Sequence, residues 1–423
     1  MTAQDSGDLG RAETILLGLH NKHPGLFAVD ESLGLLYVAQ EKYARAVPLL
    51  ETAVREQPSS DIAHANLGAA YFKLHSNAEA LNELEHAARL NPKNPATQQS
   101  LGELLLEAGK PKLAVEAYTS ALKEKPDDLD LELSCATALV AAEDSVKAEE
   151  ILMKFPGADR SSAAQTLLGE IDEKKGNFQQ AVQHFSRAVE LEPTEQNVWM
   201  LGVEFLRHWT FDAAIREFEA ATVKFPKSTR MRLGLGAAYF GGAKYGAAIP
   251  VFADLLDADK NNALYAELLG MSCTSVTESA KPRCSGLPAY AEAHPGNARV
   301  ATYAASMLLD GAATEDQLRL ARKLLGYAIA ADPRLPDAQY EIGMLKQSQG
   351  EWADSIANLE TAVALRSEYA EAHYRLALAY WRTGRKQDGQ TQMELQKKYS
   401  KQQQQDLDRR LRQITTFVVD MRN

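Results

Sequence analysis

Cysteine is scarce: the chain of 423 residues holds three, Cys135, Cys273 and Cys284. That is too few for a disulfide scaffold, and none lies in a Cys-x-x-Cys pair suited to zinc or redox work. Cys135 falls on an apolar helical position and reads as a small core residue. Cys273 and Cys284 flank an irregular stretch from Thr274 to Arg283. Reduced, they are packing residues; oxidised, they form a disulfide that staples the stretch, and the sequence leaves both open. Long apolar runs are also missing. No window approaches the roughly 18 to 20 apolar residues of a membrane span, so direct membrane insertion is not expected. Met1 to Gly10 lack the basic start and apolar centre of an export signal. Cytoplasmic residence is the default expectation, with a periplasmic or secreted one as the alternative if an upstream signal has been removed. Positive charge is in deficit, with 46 Lys and Arg against 57 Asp and Glu, a formal net charge of -11. Such a field repels nucleic-acid phosphates and anionic lipid headgroups, which excludes nucleic acid from the expected partners.

The signatures of catalysis are absent as well. None of the nine histidines falls in a His-Glu-x-x-His pattern, so no metal site is assigned. His20 and His23, just before Pro24, read as solvated surface. Gly270-Met271-Ser272-Cys273 lacks the last glycine of a nucleophile elbow, and Gly234-Leu235-Gly236 has no strand before it. Carboxylate pairs such as Glu149-Glu150 mix with Lys and Arg as on a solvated helix face. The expectation is a protein without catalytic residues and without cofactors.

What the chain does contain is helix formers and a period. Hydrophobic residues make up 45% of it but aromatics only 7%, and Ala, Leu, Glu, Lys and Gln dominate, which predicts an all-helical protein. A Leu-Gly or Ile-Gly pair recurs with its glycine at Gly34, Gly68, Gly102, Gly169, Gly202, Gly236, Gly270 and Gly343, a period of 34 with one weak and one enlarged unit. Twelve residues after each glycine or its stand-in comes a small residue, as at Ala46, Ala114, Ala214 and Ser355. Four further on stands a large one: Leu50, Leu84, Tyr118, Leu152, Phe185, Phe218, Phe252, Leu325 and Leu359. Three further again is usually Ala, and five beyond that a Pro such as Pro58, Pro92, Pro193 or Pro333. Two antiparallel helices approach closely only where one offers Gly or Ala and the other a bulky knob, and proline ends the second helix. Tyr37, Tyr71, Phe205 and Tyr239, three after a glycine, are expected to fill the space between helices.

These columns resemble the tetratricopeptide repeat, whose unit carries Leu-Gly, Tyr, Ala, Phe, Ala and Pro in this order. The resemblance covers nearly the whole chain. It implies a right-handed superhelical solenoid of antiparallel helix pairs, about eleven units including degenerate ones, closed by a C-terminal capping helix. The expected organisation is a half-repeat over 1–26, three regular units over 27–128, a degenerate unit over 129–161 and three regular units over 162–262. Two irregular or enlarged units follow over 263–335, two more units over 336–398, and a polar capping helix and tail over 399–423. The unit at Cys135-Ala136 uses Ala in place of Gly and loses its closing alanine to Phe155 before an early Pro156. After Gly270, Pro282, Gly286 and Pro288 break the second helix, and the next unit is lengthened around Asp310 to Thr314.

In this family the first helix of each unit lines the concave wall, which implies a peptide-binding groove. Carried over residue by residue, its wall includes Phe72, Lys73 and Leu106, then Trp199, Met200, Leu206, Arg207 and Phe240. Towards the end it includes Tyr340 with Glu341, Met344, Tyr374, Arg375 and Trp381. Aromatic, Met and Arg side chains along a groove suit protein binding. The carboxylate clamp of chaperone-binding members is not present in the first three units, where Glu31, Leu35, Ala69, Gln99 and Glu103 occupy its places. A protein or peptide partner follows, held by a non-catalytic scaffold, with oligomeric state left open. The rivals are a structural subunit that joins an assembly through its outer faces or the Phe417-Val418-Val419 tail, and the detached repeat portion of an enzyme.

Overall fold

Repeats of this kind order their turns by local chemistry, and the computed structural model shows how. It describes residues 5–276, 283–311 and 313–420, and side chains from residue 9 to 405 within those limits. Two compact units divide the chain, residues 1–192 and 193–423. Among the described residues the regular elements are helices, and no strand occurs.

In the first unit a single helix, Asp5–Lys22, precedes the pairs Phe27–Ala39 with Tyr43–Glu56, Asp61–Lys73 with Asn77–Leu90, and Pro95–Glu107 with Pro111–Glu124. Then come Leu129–Ala141 with the short Ser145–Lys154, and Ser162–Lys175 with Phe178–Leu191. Four of the five first helices start on a side-chain cap: Ser60, Asn94, Asp128 and Ser161 each accept a hydrogen bond from a backbone N–H two or three residues on, which satisfies donors that the first turn leaves open; Phe27–Ala39, preceded by Leu26, has none. Second helices stop at Glu56, Leu90 and Glu124, two residues before Pro58, Pro92 and Pro126.

The glycine column is a steric socket. A methyl group added at Gly34, Gly68, Gly102 or Gly169 would lie 2.6 to 2.8 Å from an atom of Leu50, Leu84, Tyr118 or Phe185, in each case the residue sixteen positions on. Seven residues after each repeat glycine or its stand-in the chain turns back through the left-handed region, at Glu41, His75, Gly109, Glu143 and Gly176. A further column was not read from the sequence: four residues before the glycine stands a buried polar side chain that seals the preceding turn. His64 Nε2 lies 3.0 Å from the Pro58 carbonyl. Gln98 donates to the Pro92 carbonyl at 3.2 Å and Gln165 to the Ala158 carbonyl at 2.9 Å. The carbonyls of Pro58 and Pro92 accept no helical N–H, so the side chains satisfy acceptors that burial would otherwise leave open; that of Ala158 also accepts the Ser161 N–H at 3.4 Å. Successive pairs are tied across by Tyr71, whose hydroxyl donates to Glu51 Oε1 at 2.5 Å.

One expectation in this unit is corrected. His20 is not solvated surface: its Nδ1 lies 2.6 Å from Oδ1 of the fully buried Asp30, which locks the first helix onto the first pair. The weak unit is built differently from its neighbours. Its second helix stops at Lys154, Phe155 turns inward, Gly157 takes a left-handed conformation, and the single turn Ala158–Arg160 restores the register. Cys135 is buried, and burial pushes its thiol up.

In the second unit the pairs are Glu195–Arg207 with Phe211–Lys224, Thr229–Gly241 with Tyr245–Ala258, Ala263–Thr274 with Leu287–Ala293, and Ala298–Leu309 with Glu315–Ala331. Pro336–Ser348 with Trp352–Leu365, and Ala370–Arg382 with Lys386–Asp420, complete it. The socket recurs at Gly202 on Phe218, Gly236 on Phe252 and Gly343 on Leu359. The sealing column recurs at Gln339 and His373, which reach the carbonyls of Pro333 and Ser367. The tyrosine tie recurs as Tyr239 to Glu219 and Tyr380 to Glu360, both at 2.5 Å.

At Gly270 the pattern fails, because sixteen residues on stands Gly286. Tyr303, from the next first helix, takes the place of the knob. The partner helix is cut to the seven residues Leu287–Ala293, and Cys273 and Cys284, both buried, are joined as a disulfide with Cα atoms 6.0 Å apart. Pro282 lies outside the described residues. The enlarged unit turns at Asp310 and Gly311 and restarts on a capping box between Thr314 and Gln317. Its second helix runs 17 residues. The polar segment after residue 399 is continuous with the helix that starts at Lys386, which is 35 residues long. The side chains of Phe417, Val418 and Val419 lie outside the described residues.

Candidate functional site

The residues expected to line a groove fall into three groups. Phe72 and Leu106 are half-buried and pack against the core of the first unit, and Lys73 lies over the Phe72 ring with its nitrogen 5.7 Å from the centroid. They serve packing first. In the second unit Trp199 is half-buried, tilted against Phe218 at 5.8 Å between centroids, and covered by the Arg230 guanidinium at 4.5 Å. Arg230 is in turn held by Gln196 at 2.9 Å. Phe240 stands edge-on to Tyr245 at 5.2 Å. Met200 and Leu206 are half-buried, and the exposed Arg207 lies 3.8 Å from the buried Glu204.

The third group converges. Tyr340, Glu341 and Met344 on Pro336–Ser348, and Arg375 on Ala370–Arg382, line a cavity of about 740 Å³. Much of its remaining wall comes from places where the repeat is irregular. Cys273 and Thr274 close one end, Ser306, Met307 and Leu309 lie along Ala298–Leu309, and Asp310, Gly311 and Ala313 belong to the lengthened turn. Leu318, Gln347, Ser348 and Trp352 complete it. The volume falls within the range of about 300 to 1,000 Å³ usual for binding pockets. A smaller cavity of about 290 Å³ shares Tyr340 and Arg375 and adds Glu371, Tyr374, Gln396 and Ser400. Tyr374 is 43% exposed; Trp381, 38% exposed, lines neither cavity and packs against Gly389.

The electrostatics of the larger cavity centre on Glu341. Burial pushes its carboxyl up to about 7, Asp337 adds to the rise, and the Ser306 hydroxyl and Arg375 oppose it. Burial likewise raises the Tyr340 hydroxyl, with Arg375 working the other way. Nearby, Arg366 makes a two-pronged ion pair to Asp337 at 2.9 and 2.6 Å and lies 4.6 Å over the Tyr369 ring, which packs tilted against Tyr340 with centroids 5.1 Å apart. That assembly fixes the back of the Tyr340 ring, so the cavity wall is held in place before any guest arrives. Asp310, Gln347 and Trp352 were not read as site residues. The lengthening at Asp310 to Thr314 was the one signal for the first; the other two fit the helical pattern and gave none. Among the described residues no group of three or more His, Cys, Asp or Glu is placed to hold a metal ion, and no helix is long and apolar enough to cross a membrane.

Family models described as TPR repeat or tetratricopeptide repeat match residues 32–95, 105–171, 162–195, 200–263 and 346–384, together more than half of the chain. No curated protein matches it. Among solved structures, a tetratricopeptide repeat protein from Parabacteroides merdae is 16% identical, with 58% of this chain and 98% of that one covered at a TM-score of 0.48. YrrB, described as a TPR protein with an unusual peptide-binding site, is 18% identical over 43% of this chain and 94% of its own at 0.40. MamA is 22% identical over 41% and 88% at 0.34.

Proposed function

Because this chain belongs to the tetratricopeptide repeat family, we propose that it is a protein-interaction scaffold that holds an extended segment of a partner polypeptide against the first helices of its second unit. The observation that carries this reading is the convergence of Tyr340, Glu341, Met344 and Arg375 on one cavity. A helix pair buries its own apolar face against its neighbours. Aromatic, thioether and guanidinium groups left around a cavity are therefore surplus to folding and are of the kinds enriched at binding hot spots. The tilted contact with Tyr369 holds the Tyr340 ring without filling the cavity, and so lowers the cost of ordering on binding. The scaffold has no catalytic role in this reading, and the partner supplies an extended segment with side chains that enter the wall.

The test is capture of polypeptides from a lysate of the source cell on the immobilised protein. A Tyr340→Ala, Arg375→Ala double variant is compared with wild type and with Trp199→Ala, Phe240→Ala, far-UV circular dichroism confirming that all three remain helical. Loss of the retained polypeptides in the first variant, with retention in the second, supports the cavity as the anchor. Equal capture by all three proteins removes it.

A further inference from the structure

We propose that the Cys273–Cys284 disulfide is a redox-sensitive lock on the irregular unit: it takes the place of the missing knob and the missing half of the second helix, so that a dithiol reductant frees Leu287–Ala293 from the stack. Cys273 and Thr274 also line one end of the larger cavity, so the lock reaches its wall. That bearing on binding rests on the reading of the cavity as an anchor; the lock itself does not.

The unit after Gly270 lacks what holds its neighbours. The second helices Phe211–Lys224 and Tyr245–Ala258 run 14 residues, and each brings a fully buried knob, Phe218 or Phe252, to the glycine of its own first helix. Here the second helix has seven residues, starts at Gly286 without a side-chain cap and carries a proline in its first turn. A helix so short does not hold itself in water. Packing gives part of the support, since Leu287, Tyr290 and Ala291 are buried. Yet Leu256, Leu269, Gly286 and Tyr290 also line a cavity of about 520 Å³, and atoms that face a void lose contacts on that side.

A covalent tie supplies the rest. Cys273 lies in the last turn of Ala263–Thr274, and Cys284 stands three residues before Leu287; they are 1% and 0% exposed. In a regular pair, Thr229–Gly241 with Tyr245–Ala258, residues 242–244 join the helices, whereas here residues 275–286 do. The longer connection loses more entropy on closing, and a bond between residues 11 apart in sequence removes much of that freedom from the open state. Reduction is thiol–disulfide exchange. A thiolate of the dithiol attacks one cystine sulfur, the S–S bond breaks and the other cysteine leaves as a thiolate. The second thiol of the reagent then displaces the first cysteine, so the reagent ends as a cyclic disulfide, two electrons pass to the protein sulfurs, and the two protons of the reagent are taken up by the cysteine thiolates. Both sulfurs are buried, so attack follows local opening of the short helix.

The experiment uses the full chain purified without reductant, before and after treatment with dithiothreitol, beside a Cys273→Ala, Cys284→Ala double variant. Thiol titration in guanidinium should count one thiol, Cys135, before reduction and three after. Hydrogen exchange read by mass spectrometry then follows Tyr290 to His294, whose end amides donate to the Gly286 and Tyr290 carbonyls at 3.1 and 2.9 Å. Their protection should fall by about thirtyfold to a hundredfold on reduction, the loss expected for a loop of this length. Protection of Asp61–Lys73 should stay as it was. The double variant should behave as the reduced protein does and should not respond to dithiothreitol. Three thiols before reduction overturn the lock, as does full protection of Tyr290 to His294 once three are free. An equal loss in every helix also overturns it, because the disulfide would then staple the whole fold rather than one unit. A response of the double variant to dithiothreitol places the effect elsewhere and overturns it too.

Discussion

Replacing Gly202 with alanine and, separately, Gly326 with alanine puts the same methyl group into two helices of one unit, with opposite expected results. At Gly202 the methyl would lie 2.3 Å from Cζ of Phe218 and 2.7 and 2.8 Å from its two Cε atoms. Phe218 is fully buried and its ring is flanked by Trp199, so it has no solvent to swing into. The helix pair must open or the ring must leave its rotamer, an overpacking cost of about 1 to 3 kcal/mol. Alanine returns about 0.5 to 1 kcal/mol through its helix propensity, so the net change runs from near zero to a loss of about 2.5 kcal/mol. Gly326 sits exposed in Glu315–Ala331, and a methyl there meets nothing within 4 Å. Only the propensity remains, and Gly326→Ala should gain about 0.5 to 1 kcal/mol. Urea unfolding followed by far-UV circular dichroism reads both, with equal slopes required so that the midpoints compare stability alone. A Gly202→Ala protein that gains stability as Gly326→Ala does would refute the socket as the reason for the repeated glycine.

Further expectations concern a titrating group and a strained turn. Glu341 has an ordinary value of 4.5 and is held near 7 in the fold, so between these pH values the unfolded chain releases its proton first and the folded state loses stability as pH rises. The loss reaches about 2 to 3 kcal/mol above pH 7, the lower figure allowing for contact of the carboxyl with the open cavity. Glu341→Gln should therefore raise the melting temperature at pH 8 and leave it unchanged at pH 4, and equal curves at both pH values would contradict the assigned cause. Ala243 turns with φ at 57° where Gly350 and Gly384 stand in other repeats. Left-handed backbone costs a residue with a side chain about 1 to 2 kcal/mol, partly offset by the greater freedom of an unfolded glycine. Ala243→Gly should thus stabilise by about 0.5 to 1 kcal/mol and Gly350→Ala should do the reverse, as chemical denaturation will show.

What could be read from the sequence, and what could not, divides by the range of the interaction. A glycine and the knob sixteen residues on face each other because two helices and one turn separate them, so Gly34 with Leu50 and Gly236 with Phe252 announce themselves at fixed spacing. The sealing residues His64, Gln98 and Gln339 obey a fixed spacing too. They stayed hidden because a polar residue inside an apolar helix reads as surface until its partner carbonyl is known. Groove residues are harder. The positions one and four after the glycine lie at the edge of the inter-repeat contact, and whether they face solvent depends on the bulk of the next helix. Phe72 and Leu106 are drawn into the core, whereas Met344 and Tyr340 keep a free side because the wall opposite them is deficient. That deficiency is the failure of the period itself. Gly286 stands where a knob belongs, the partner helix is cut to seven residues, and the turn at Asp310 is lengthened. A repeat that packs perfectly has nowhere to receive a guest. The irregular units are thus where a solenoid of this type can acquire a pocket, and the residues that line it come from six helices and one loop that no period relates.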